Sequence, residues 1–268
     1  MSAPVTPVLP LLGRGLAAGG VAGLAAGLFS LLLAEPLMDR AIRLEEARSA
    51  AAEHAHGAAA TAVQHHEELF SRSTQHAGLV VTAVVAGLAL GALSALAYAL
   101  VHRRTGIGER PWPRALTFGA AAFVAVSLLP GLRYPASPPG VGDSGTVADR
   151  QALWLAAVVI GVLGMVLAWQ VYVRLAGRPV PVRQIAVAVT AVATLAVLFA
   201  LPGNPDEVPV AATLLWDFRM LSLASHALLW AVFAAVFGGL GLRAAGRGRG
   251  LSPGPVPQTP AGLEAPVR

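Results

Sequence analysis

Six apolar stretches recur along the chain, over residues 11–34, 76–101, 114–130, 151–174, 183–202 and 219–242. A helix that crosses a bilayer needs about 20 apolar residues, each adding about 1.5 Å. The third stretch sits at the lower limit, so a five-span count follows if it, or the fifth, is re-entrant. Breakers separate the stretches: Arg103-Arg104 through Pro113, Pro130 through Gly145, Gly177 through Pro181, and Pro202 through Pro209. The pattern predicts an all-α fold. Residues 1–250 form a polytopic transmembrane helix bundle of about six spans, with one long external segment at 35–75. Residues 251–268, rich in proline, form a disordered tail.

The first stretch holds Gly15, Gly19, Gly23 and Gly27 at four-residue spacing, with no charge from Leu16 to Ala34. That much glycine weakens a helix in water. In lipid it makes a face on which a second helix can approach to backbone contact. Gly87 and Gly91 repeat the small-xxx-small pattern in the second stretch, which predicts that these two helices pair. The first stretch is too long for the core of a signal peptide and is read as retained.

Composition fits a lipid-embedded chain. Apolar residues make up 56% and charged residues 12%, with mean hydropathy +0.66, against about 25% charged in soluble domains. No cysteine is present, which excludes disulfides, thiolate metal sites, iron–sulfur clusters and cysteine nucleophiles. Every basic residue is arginine. The net charge of +5 is not a nucleic-acid signal, because the arginines lie at segment ends. With both termini cytoplasmic, twelve arginines fall inside and seven outside, in the sense of the positive-inside rule. A multi-pass protein of the cell inner or plasma membrane is expected. Twelve of the 14 acids then lie outside, and topology alone does not require that.

Most of the outside acids fall in 35–75, the one long polar stretch: Glu35, Asp39, Glu45, Glu46, Glu53, Glu67 and Glu68. His54, His56, His65 and His66 accompany them, and His76 follows. Pro36 can open a new helix, where its missing N–H costs nothing. At about 100° per residue, Asp39, Glu46 and Glu53 fall within about 40° of one another, opposite Leu37, Leu44 and Ala51. The segment therefore reads as an amphipathic helix with an acidic stripe. One reading of that stripe is a solvated face over the bilayer; the other is a cation-collecting surface. His54 and His56 cannot share an ion on a helix but can in a turn at Gly57. His65 with Glu68 can meet one ion at i, i+3 spacing. Imidazole with carboxylate suits cobalt, nickel or zinc.

In the last stretch, Asp217 and Arg219 stand at the outer end and His226 about two turns deeper. An ionisable group at membrane depth faces the bundle interior or a water path. The alternative for His226 is a neutral imidazole bonded to a neighbouring helix. Leu132–Asp143, with three prolines and two glycines, is a rigid external loop that can cap a vestibule. No phosphate-binding loop, triad, cofactor fingerprint or acid–base pair at a recognisable spacing occurs, so the chain is not read as an enzyme.

Three motifs carry a family resemblance. Glu35–Ala50 (EPLMDRAIRLEEARSA) follows a glycine-rich span, RYPASPPGVGD lies between spans, and LLWDFRMLSLASHALLW makes the last span. In this order they resemble the CbtA family of cobalt transporter subunits, over most of residues 11–242. The resemblance implies cobalt uptake for cobalamin synthesis beside a small one-span partner, CbtB, with a histidine-rich end. It places Glu35, Asp39, Glu46, Tyr134, Pro135, Asp217, Arg219 and Ser222 in the family motifs. His226 stands where the resemblance leads one to expect a glutamine.

The expectation is thus a membrane subunit for uptake of a divalent transition-metal ion, cobalt first, with nickel or zinc possible by the same donors. Its candidate metal-contacting residues are Glu35, Asp39, Glu46, Glu53, His54, His56, His65, His66, His76, Asp217 and His226; no resident cofactor is expected. The alternative is a non-transporting scaffold, or a metal or pH sensor, that docks a partner through its acidic helix.

Overall fold

The computed structural model describes residues 8–37, 39–40, 42–43, 47, 72–102, 110–138, 142, 144–204 and 211–250. Among them there is no strand, and six helices are long and apolar enough to cross a membrane. These are α1 (Val8–Leu37), α2 (Arg72–His102), α3 (Pro111–Arg133), α4 (Val147–Arg174), α5 (Val180–Phe199) and α6 (Ala212–Gly250). The protein is a multi-pass membrane protein, and the third and fifth stretches are full helices rather than re-entrant ones. Successive helices cross in opposite directions. Arg14, near the start of α1, reaches the carbonyl of Phe237 near the end of α6, while Ser30, near the end of α1, meets Ser225 in the first half of α6. The two chain ends therefore share one face of the bundle, the terminal face; the opposite one is the distal face.

The packing is inside-out relative to a soluble protein. Leu9, Leu100, Leu163 and Val192 point outward, each more than 60% exposed, while Ala18, Ala22, Ala95 and Ala157 are buried. Lipid is as apolar as leucine, so burying large side chains gains little; close backbone packing supplies the attraction instead. The α1–α2 pair shows this most plainly. A Cβ added at Gly19 would land on the carbonyl oxygen of Gly87, and one at Gly15 on that of Gly91; the reverse holds as well. The pairing expected from the two glycine series is the observed one. A core of Leu11, Tyr98, Ala115, Trp230, Phe233 and Phe237 fills the space among α1, α2, α3 and α6. Helix α4 packs on α5 and on the distal half of α3.

Two prolines depart from the expectation of helix boundaries. Pro36 does not open a new helix and Pro130 does not end the third span; each lies inside a continuous helix. A proline ring clashes with the carbonyl four residues back. In both helices a widened π turn ends two residues before the proline. These are Ser30–Ala34 in α1 and Phe123–Leu128 in α3, where the Glu35 N–H bonds Ser30 O and the Leu129 N–H bonds Val124 O. The wider turn shifts the backbone that would otherwise collide with the ring.

Candidate metal site and the two distal cavities

Helix α6 stands between these two widened turns and is tied to both. The hydroxyls of Ser30 and Ser225 are 3.1 Å apart. On the other side, the Trp230 indole N–H donates to Ser127 Oγ at 3.0 Å. In a medium without water, each bond satisfies a polar group that would otherwise be stranded.

The small cavity lies beside the α1 turn. It measures about 200 Å³ and is lined by Ser30, Glu35, Ser222, Ser225 and His226, with Leu79, Phe218 and Leu221 as apolar wall. Glu35 carries its carboxylate at 15% exposure, and His76 at the start of α2 holds it, with Nε2 2.9 Å from Oε1. A carboxylate at this depth requires such a partner. His226 Nδ1 donates to the carbonyl of Ser222, one turn back, at 2.8 Å. That bond fixes the tautomer and leaves Nε2 as the lone-pair nitrogen. It is the arrangement in which a histidine ligates a metal, its other N–H anchored to a carbonyl. The expected alternative, an imidazole bonded to a neighbouring helix, is replaced by a bond within its own helix.

The large cavity lies on the other side of α6, among α3, α4 and α6, and measures about 640 Å³. His226 and Ser222 line it too, so one turn of α6 faces both cavities. Arg219 reaches the large cavity, and its Nε is buried without a hydrogen-bond partner among the described residues.

Of the residues proposed from the sequence, Glu35 and His226 line the small cavity, and His76 is bonded to Glu35 without lining it. Asp217 is exposed one turn into α6 and lines neither cavity. Asp39 continues helically beyond α1, half-buried. Glu46, Glu53, His54, His56, His65 and His66 lie outside the described residues. Among the described residues no group of three or more His, Cys, Asp or Glu forms a ready metal cluster. Ser30 and Ser127 were missed; a serine in an apolar run gives no signal until its turn is seen to widen toward α6.

The loop motif lines the large cavity with Leu132, Tyr134, Pro135 and Ser137, and its tyrosine has a second role. Tyr134 donates its hydroxyl to the carbonyl of Pro202 at 2.7 Å, and the Arg133 guanidinium donates to the carbonyl of Leu201. Together they clasp the end of α5, and Arg133 also lies over the ring of Phe199, 5.9 Å from its centroid.

The family model described as probable cobalt transporter subunit (CbtA) matches residues 9–241. The chain belongs to the CbtA family. The match runs from the first turn of α1 into the last third of α6, so it reaches all six spans of this CbtA member. No curated protein and no solved structure matches the chain.

Proposed function

We propose that this CbtA-family protein admits a divalent transition-metal ion, cobalt first, through its distal face, and that Glu35, His76 and His226 make the ion's first contacts within the bundle. The observation that carries the reading is the small cavity, lined by the half-buried Glu35 carboxylate, which His76 holds, and by the His226 imidazole with its preset tautomer. Nitrogen and oxygen donors of this kind suit cobalt, nickel and zinc. An arriving dication displaces the Glu35–His76 hydrogen bond: the carboxylate takes the ion, His76 ligates through a ring nitrogen once its proton has passed to water or to the other ring nitrogen, and Ser30, Ser222 and Ser225 offer hydroxyl oxygens around it. The acidic and histidine-rich stretch after α1, including Asp39, Glu46, Glu53, His54, His56, His65 and His66, raises the local cation concentration, and Asp217 adds to it at the mouth.

In this reading the distal face is external and both termini are cytoplasmic, in keeping with the arginine bias. A potential negative inside then drives a dication inward by about 4.6 kcal/mol per 100 mV, two charges at about 2.3 kcal/mol each. A small one-span, histidine-rich subunit of the CbtB kind is the natural partner for passing ions to or from the collecting segment. The test is radioactive cobalt accumulation in cells that carry the double substitution Glu35→Ala with His226→Ala. Accumulation falls to background while the protein level stays normal. Undiminished uptake removes the proposed path.

A further inference from the structure

The large cavity is the wrong place for a cation. Among the described residues that line it, the charged side chains are Arg150 and Arg219, and no carboxylate is present. Its remaining polar lining, Ser137 and Gln151 among others, offers hydrogen-bond donors, which suit an oxyanion.

Depth says which oxyanion. Helix α4 has 28 residues, about 42 Å at 1.5 Å per residue, against a hydrocarbon core of about 30 Å. Its first turns therefore stand in the headgroup layer. Arg150 is about 4.5 Å along α4 from its start, and Arg219 about 10 Å along α6 from its own. Trp154 and Trp216 stand about one turn along the same helices from them, 45% and 63% exposed, as interfacial tryptophans do. Below them the wall is mainly apolar, with Val126, Leu128 and Leu223, and Ser127, Ser222 and His226 as its polar members. Guanidinium groups at phosphate depth above a mainly apolar wall match a molecule with an anionic head and hydrocarbon chains.

We propose that this cavity binds the phosphate of an anionic phospholipid, with Arg150 and Arg219 at the phosphate and the acyl chains along α4 and α6. The site is independent of the ion path in its chemistry. It shares one turn of α6 with that path, because Ser222 and His226 line both cavities.

The test uses the purified full-length protein, stripped of lipid in a neutral detergent. Phosphatidylglycerol, phosphatidylcholine and inorganic phosphate are added separately, and binding is read by native mass spectrometry and by thermal melting. Phosphatidylglycerol binds about thirtyfold more tightly than phosphatidylcholine, the factor two arginines supply at an anionic surface, and raises the melting temperature; inorganic phosphate at matched concentration does not. Arg150→Gln with Arg219→Gln removes the preference, whereas Arg183→Gln, at the start of α5 on the terminal face, keeps it. Should the double variant fail to fold, lipid carried through purification of the unaltered protein decides, and it is enriched in phosphatidylglycerol over the source membrane. Equal binding of the two lipids, a preference that survives the double substitution, or no enrichment overturns the proposal. An equal shift with inorganic phosphate assigns the site to a soluble oxyanion and overturns the lipid.

Discussion

Adding one methyl group at Gly19 should separate α1 from α2, and the same methyl at Gly13 should not. At Gly19 the new Cβ would fall on the backbone of Gly87, and it would stand 2.9 Å from Gly91 Cα. At Gly13 nothing lies within 4 Å. Backbone cannot swing aside as a leucine tip can, so relieving the clash to an ordinary contact of about 3.4 Å moves the helices apart by roughly 1 Å. A gap of that size forfeits a quarter to a half of each dispersion well of about 0.1–0.2 kcal/mol. Over some 40 atom pairs along the glycine face the loss is roughly 2 kcal/mol, within the ~1–3 kcal/mol typical of overpacking. Both substitutions carry the same helix-propensity gain of up to ~1 kcal/mol, so their difference isolates the packing. Melting the purified protein in one detergent reads it out. At about 2–4 °C per kcal/mol for chains near this size, Gly19→Ala should melt roughly 4–8 °C below Gly13→Ala. Coincident melting curves would refute the claim that backbone contact holds these helices together.

Three further outcomes are expected. Tyr134→Phe removes the hydrogen bond to Pro202 O and should cost about 0.5–1.5 kcal/mol in thermal stability while leaving cobalt uptake intact; lost uptake at normal protein level would return this tyrosine to the ion path. Ser127→Ala strands the Trp230 indole N–H and should cost about 0.6 kcal/mol, at most ~1.7, with a shift in tryptophan emission; unchanged emission would mean that the bond does not form in the bilayer. Glu53→Cys should react with a membrane-impermeant maleimide added to intact cells, and labelling only after lysis would reverse the orientation and end the ion-gathering role of the acidic segment.

The glycine face was legible because both of its halves are local: small residues at four-residue spacing determine which side of a helix can approach another. The Arg133–Tyr134 clasp was not legible, since its acceptors lie 68 residues away on the end of α5 and no periodicity pairs them. The convergence of Glu35 with His226 depends likewise on how α1 and α6 rotate against each other. The prolines are an instructive intermediate case. Pro36 and Pro130 read as helix boundaries by the usual steric rule, yet the helix runs on past both, to Leu37 and to Arg133. The resolution is physical: a helix in lipid cannot leave its backbone groups unpaired, so it widens a turn rather than stopping.

That widening bears on the chemistry. Each π turn brings a serine to α6: Ser30 meets Ser225 on one side, and Ser127 accepts from Trp230 on the other. His226 directly follows Ser225 and precedes Trp230 by about one turn. The one ionisable group in the middle of α6 thus sits where the helix is pinned from both flanks, with a cavity on each side. A histidine so placed keeps its bond to Ser222 O and its other ring nitrogen in a fixed position, and under the proposed function that is what discrimination among cobalt, nickel and zinc by geometry requires. Releasing either pin should therefore blur metal preference before it abolishes transport.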